Sequence, residues 1–224
     1  MTVVGVDACN KGWIVVALGD HRPTAHFIPT INELVDVVPD VTTIAIDIPI
    51  GLPEAARRAA DRLAYDLVGP RRSSVFFVPV RDALETDDFE DANRISHDRS
   101  PSGVSRQAHS LRKKILEVDG WLKSAPCQVR EVHPEVSFFE MMHGPLKYSK
   151  KSWAGMNLRR VALQREGIDL DKILDLAGEK AGVDDLLDAA AAAWSARRID
   201  MGIQGSLPNP PERGASGGLQ AIWF

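Results

Sequence analysis

Val3-Val4-Gly5-Val6-Asp7 is a short apolar run that closes on an acid, and Ile44-Ala45-Ile46-Asp47 repeats the design. Strand alternation puts Val3, Gly5 and Asp7 on one face of the first run, and Thr43, Ala45 and Asp47 on one face of the second. In each, a small residue stands two positions before the acid, so a helix can approach that face closely. One segment is built to do so: Asp185-Leu186-Leu187-Asp188, followed by five alanines, Ala189 to Ala193. Docked across Gly5 and Ala45, that helix carries Asp188 alongside Asp7 and Asp47, with Asp185 at i−3 on the same helix face. Carboxylates gathered in one pocket repel one another and take up protons unless divalent cations compensate them. Oxygen-only ligands suit Mg²⁺ or Mn²⁺ better than zinc.

Working outward, Thr2 to Leu18 reads as a hairpin turning at Asn10-Lys11-Gly12, and Thr24 to Ile28 as a third strand. Thr30 with Glu33 three residues on is a capping box for a short helix, Ile31 to Val38, before a fourth strand, Thr43 to Ile48. The opening order is therefore β-β-β-α-β. Pro49 and Pro53 bracket a loop. Glu54 to Leu67 has helical composition, with Arg57, Arg58 and Arg62 on a basic face. Ser73 to Val80 reads as an irregular connector, followed by helices at Phe89 to His97 and Ser105 to Leu122. Gln128 to His133 reads as a fifth strand. Helices return at Val136 to Met142, Met156 to Arg165, Leu170 to Leu176 and Asp185 to Arg198, and a small apolar stretch, Leu219 to Phe224, ends the chain. The expectation is one α/β domain over 1–224, a five-stranded mixed sheet flanked by helices, with a helical insertion at about 52–126.

The 224 residues, 44% hydrophobic and 26% charged, are enough for one well-filled core. Cys9 and Cys127 form no Cys-x-x-Cys pair, which argues against a disulfide framework and a thiolate zinc site. Reduced thiols, a chain that opens directly on a strand and the lack of a membrane-length apolar stretch give the expectation of a soluble cytoplasmic protein without a membrane partner. With 27 Lys+Arg against 31 Asp+Glu, a polyanion has to be held by a local basic patch. Whether the chain forms a homo-oligomer is left open.

Several acids have plainer explanations. Asp184 and Asp185 fall where a helix begins, and we assign Asp184 to capping. Asp188 lies a turn further in, where capping does not account for it. Glu131, His133 and Glu135 share a face if the fifth strand stays extended to Pro134, and Glu131, inside the strand, is the better fourth ligand. Glu135 follows Pro134 and is equally explained as an acid of a first helical turn. His133 is a candidate proton carrier or a structural histidine.

Val-Gly-Val-Asp7 with Gly12-Trp13, Ala-Ile-Asp47-Ile-Pro-Ile-Gly51-Leu-Pro53, Arg71-Arg72-Ser-Ser-Val-Phe76, Glu131-Val-His-Pro-Glu135-Val-Ser-Phe138, Ser149-Lys-Lys151 and Asp185-Leu-Leu-Asp188-Ala-Ala-Ala together resemble a domain-of-unknown-function family of predicted nucleases with the ribonuclease H-like fold. The Asp-x-x-Asp-Ala ending is similar to the last helix of RuvC-type resolvases. The resemblance implies two metal ions at Asp7, Asp47, Asp188 and Asp185, with Glu131 a looser transfer, and a two-metal hydrolysis of phosphodiester bonds in nucleic acid. Catalysis would then rest on Asp7, Asp47, Glu131 and Asp188. Substrate backbone would be held by Arg71, Arg72, Lys147, Lys150 and Lys151, with Arg57, Arg58 and Arg62 next. Trp13, Trp153 and Tyr148 are candidates for base stacking, whereas Trp194 and Trp223 are assigned to packing.

Two other classes compete. A non-catalytic nucleic-acid- or nucleotide-binding protein keeps the fold without the chemistry. An actin- or sugar-kinase-like phosphotransferase shares the β-β-β-α-β core but needs a second such domain and phosphate loops that the sequence lacks.

Overall fold

The computed structural model describes residues 1–173, 179–214 and 217–224. β1 (Thr2–Cys9) turns at Asn10 and Lys11 into β2 (Gly12–Leu18), which pairs antiparallel with β3 (Thr24–Ile28). A 3-10 turn at Ile31–Glu33 and the one-turn helix α1 (Leu34–Val37) lead to β4 (Val41–Ile46). In place of backbone capping, the Thr30 hydroxyl donates to the Glu33 carboxylate at 2.9 Å. β4 runs parallel to β1 and to β5 (Gln128–Glu131), giving the order β3-β2-β1-β4-β5. The result is an α/β fold with a five-stranded mixed sheet between helices.

Alternation decides what each face meets. Val4 and Val6 of β1, with Ile44 and Ile46 of β4, join a core cluster that includes Ile31, Leu34, Ile115 and Val118, the last two from α5 (Arg106–Trp121). On the other face Val3, Ala45 and Ile14 pack with Ala189 to Ala193 of α8 (Val183–Asp200). Gly5 makes that contact possible, since a Cβ placed on it would lie 1.9 Å from the backbone nitrogen of Ala193 and 2.1 Å from the carbonyl oxygen of Ala189. The far end of α8 is pinned to β4, where the Thr42 and Thr43 hydroxyls both donate to Asp200 at 2.9 Å.

Between β4 and β5 run α2 (Ala59–Leu67), a 3-10 stretch at Gly69–Ser74, α3 (Arg81–Leu84), α4 (Phe89–Arg99) and α5. After β5 come α6 (Pro134–Met142), α7 (Trp153–Arg165), a 3-10 turn at Leu170–Lys172, and α8. The helix expected over Leu170 to Leu176 is only that turn as far as Ile173, and its remainder lies outside the described residues.

Three expectations need correction. The fourth strand begins and ends two residues earlier than expected, so Asp47 follows its last residue, although its N–H still extends the ladder by donating to the Val6 carbonyl at 2.9 Å. The helix expected from Glu54 starts only at Ala59, because Ala56 takes a left-handed φ of 62° and the chain bends there. A strand not foreseen, β6 (Ser206–Arg213), pairs with β7 (Leu219–Trp223). Pro208, Pro210 and Pro211 argue against a central strand, but in a two-stranded hairpin they fall in the unpaired stretch between Leu207 and Glu212. Among the described residues no helix is long and apolar enough to cross a membrane.

Candidate active site

The register that pairs Val6 with Ile46 makes Asp7 and Asp47 neighbours at the carboxyl ends of adjacent parallel strands, where open α/β sheets take their ligands. α8, seated on Gly5, brings Asp188 to the same place. Asp7 and Asp188 are buried and Asp47 is partly buried. All three line a cavity of about 290 Å³, together with Asp185 and Lys150. A second cavity of about 480 Å³ shares Asp47, Asp188, His133 and Lys150 with the first and adds Glu135, Arg71 and Lys151.

The electrostatics follow from burial and crowding. Burial, then Asp47 and Asp188, hold the Asp7 carboxyl well above the usual carboxylate range. Asp47 is pushed up to about 7, by burial and by Glu135 against the opposing pull of Lys150. Asp188 is likewise pushed up to about 7, by burial and then Asp47 and Glu135, again against Lys150. Burial opposes the Lys150 ammonium, but Asp188, Asp47 and Asp7 outweigh it and hold its pKa above the ordinary lysine value. Its Nζ donates to Asp188 Oδ2. One lysine thus faces three acids. Among the described residues, no three carboxylate, imidazole or thiol groups converge closely enough to form a finished coordination shell.

A model of the protein family of unknown function DUF429 matches residues 5–213. The chain belongs to this family. No curated protein and no solved structure matches it. The family match spans the sheet, the acids at its edge and α8, so the site lies inside the family's shared region.

The remaining expected residues divide. Asp185 lines the first cavity and adds to the negative field that raises the Asp7 pKa, yet its Oδ2 accepts the Gly182 N–H at 3.1 Å, which gives it a capping duty. Glu131 reaches the cavity wall with both oxygens already bound. Oε2 accepts from the Ile50 N–H at 2.6 Å and from Arg58 Nη1 at 2.7 Å, and Oε1 accepts from Arg58 Nη2 at 2.8 Å. The structure therefore gives Glu131 an anchoring role, with two donors on Oε2 and one on Oε1. Arg58, expected on a solvated basic face, is 2% exposed and also holds Asp61. Of its companions, Arg57 stacks on Phe77 and Arg62 lies 4.0 Å from Asp66 at the surface.

His133 caps α6: its Nδ1 accepts the Glu135 N–H at 3.2 Å, which leaves Nε2 to donate to the Ser74 carbonyl at 3.3 Å. Burial pushes its pKa down. A neutral ring with both nitrogens engaged fits the structural one of the two roles open to His133. Arg71, Lys150 and Lys151 do line the second cavity. Arg72 instead borders a separate hollow with Tyr65, and exposed Lys147 sits over the Tyr148 ring at 5.6 Å. Trp13 is fully buried and donates to Glu117 at 3.2 Å, while Trp153 is 78% exposed. Trp194 is packed, as expected, with its Nε1 donating to Glu166.

Sequence reasoning undervalued Glu135 and passed over Arg159. Glu135 is 5% exposed and accepts from fully buried Arg159 at 2.5 Å. A signal was present: Arg159 falls on the stripe of Gly155, Ala162 and Leu163, where an arginine needs a buried acid as partner.

Proposed function

We propose that the chain is a divalent-metal-dependent nuclease of ribonuclease H-like fold. The reading rests on one observation: Asp7, Asp47 and Asp188 share a buried corner with a single lysine, and each is held far above its ordinary pKa. Such a corner is costly to leave ionised, and a hard cation relieves the cost. The donors are all oxygens, which fits Mg²⁺ or Mn²⁺. The strand order β3-β2-β1-β4-β5, with antiparallel β2 and β3 beside parallel β1, β4 and β5, supports the fold assignment.

Asp7, Asp47 and Asp188 would hold the ion, with Asp185 at the margin of the same cavity. Bound there, such an ion would supply Lewis-acid polarisation of a phosphodiester and help an attacking water to ionise. The chain's own residues provide the rest. Arg71 and Lys151 on the second cavity would take phosphate oxygens. Lys150, tethered to Asp188, reduces the acidic field that a polyanion meets on entering. His133 and Ser74 stiffen the wall between the two cavities.

The test is cleavage of labelled DNA and RNA, single- and double-stranded, with Mg²⁺ or with chelator. Wild-type protein should cut at least one, and Asp7→Asn and Asp47→Asn should each lose at least about 100-fold, since even changes to groups behind a metal ligand cost 10–100-fold. A second reading draws on the Lys150–Asp188 pair: a nucleic-acid-binding protein in which lysine is the permanent counter-ion. It predicts binding without cleavage, and binding indifferent to Mg²⁺.

A further inference from the structure

Trp153 differs from the other four tryptophans. It is exposed, whereas Trp13, Trp121 and Trp194 are buried and Trp223 is half-buried. Nor is it isolated: of the seven large apolar side chains exposed among the described residues, Tyr148, Trp153 and Val183 each fall within two positions of a residue that lines the second cavity, Ser149, Lys151 or Asp184. Two residues of chain span less than about 8 Å, so the Trp153 backbone stands at the rim. Exposed apolar side chains that gather rather than scatter mark a binding surface. The loop that carries the two rings is also held firmly. Arg159 Nη1 donates to the Tyr148 carbonyl at 3.2 Å, the Ser149 carbonyl accepts the Ser152 N–H at 3.0 Å, and a Cβ placed on Gly155 would lie 1.9 Å from that same Ser149 oxygen. The Ser152 hydroxyl in turn caps α7 by accepting the Gly155 N–H at 3.1 Å. This turn sends Lys150 to Asp188, brings Lys151 to the second cavity and leaves both rings exposed.

The acids, by contrast, are recessed. The insertion walls the first cavity with Phe76, Val78, Gln107 and Leu111. Cavities of about 290 and 480 Å³ are in the range that encloses a small molecule, so a single nucleotide unit can reach Asp7 and Asp47 where the bulk of a duplex cannot. Cations for a backbone are at hand: Arg71 and Lys151 line the second cavity, and among the described residues neither pairs with a carboxylate. We propose that the site takes an unpaired strand of nucleic acid, whose phosphates meet Arg71 and Lys151 and one of whose bases stacks on the Trp153 indole at the rim. Stacking on an aromatic ring needs only the face of a base, which every base has and a duplex keeps covered, so Trp153 selects by strandedness and not by sequence. Because the turn is already fixed, little ordering is required when the base arrives. This inference rests on the nucleic-acid reading of the acidic corner and names the form of substrate that the corner accepts.

A short oligothymidylate, which does not pair with itself, tests this on the full chain, with chelator so that nothing is cut. Since the other indoles are buried or half-buried, quenching of the water-exposed tryptophan emission reports Trp153 itself. The strand should quench that emission and bind at least about tenfold more tightly than its duplex with oligoadenylate. By fluorescence anisotropy, Trp153→Ala and Trp153→Leu should weaken strand binding by about 5- to 100-fold, the loss of one base–aromatic stack, while Trp153→Phe stays within about threefold of wild type. Equal affinity for strand and duplex, or undiminished binding in Trp153→Ala, would overturn the inference. So would a wild-type dimer that Trp153→Ala dissolves, because a second copy would then cover the indole. Binding that depends on Trp153 without cleavage in Mg²⁺ supports the stacking role and sinks the nuclease alone, and cleavage indifferent to Trp153 does the reverse. Binding of neither form, with chelator or with Mg²⁺, overturns both.

Discussion

Two groups of buried acids stand a few residues apart in this molecule and have opposite characters. Around Arg58, Asp61 and Glu131 receive the guanidinium, and the backbone N–H groups of Val78 and Ile50 complete their bonding. Around Lys150, Asp7, Asp47 and Asp188 share one ammonium, which among the described residues donates only to Asp188. Burial alone does not mark a functional acid. What separates the groups is the supply of donors and positive charge: one guanidinium and two backbone N–H groups serve two acids in the first, whereas one ammonium serves three acids in the second.

The comparison is broken most severely by removing the cation of the satisfied group. Arg58→Met strands two buried carboxylates and should cost about 3–5 kcal/mol, read as a lower midpoint in urea unfolding. Next is Gly5→Ala, whose new methyl group collides with the backbone of α8. Overpacking of this kind costs about 3 kcal/mol, and it should lift α8 and part Asp188 from Asp7 while Arg58 and Glu131 stay paired. A loss of metal binding larger than the loss of stability would show that separation.

Charge removal should give opposite signs in the two groups. At pH 8 in chelator, Asp47→Asn relieves repulsion and should stabilise the chain by about 1–2 kcal/mol, whereas Glu131→Gln should destabilise it. Thermal melts of both variants check this, and equal signs would erase the distinction. The smallest effect is on pH dependence. Asp47 and Asp188 keep their protons in the folded chain up to about 7, against 3.8 for an ordinary aspartate. Between these values the folded state binds more protons than the unfolded one, so stability falls as pH rises through that window. Melting temperature in chelator should decline from pH 4 to 7, Asp47→Asn should flatten the decline, and saturating Mg²⁺ should abolish most of it.

The sheet and its acids were legible because their signals are local and periodic. The Asn10-Lys11-Gly12 turn fixes the hairpin, and Gly5, Ala45 and the alanine run are three halves-of-contacts small enough to imply one another. The placement of Glu131 and Glu135 was less legible. Reading them on one face assumed an extended chain to Pro134, but proline at the first helical position starts α6 there and rotates Glu135 away from strand alternation. Nor does local pattern reveal who neutralises whom: Arg58 finds Glu131 across 73 positions, and Arg159 finds Glu135 across 24. The first pairing exists only after the insertion has folded onto the sheet and the second only after α7 has packed against α6, so periodicity does not name the partner.

The hydroxyl clasp of Thr42 and Thr43 on Asp200 has a reach beyond its size. Twelve helical positions separate Asp200 from Asp188, roughly 18 Å at 1.5 Å per residue. Along such a rod each residue advances the azimuth by about 100°, so a slip of one position at the clasp would swing the distant carboxylate round the axis and out of the acidic corner. Two threonines at the opposite end of β4 thereby act as an index mark that sets the compass bearing of Asp188.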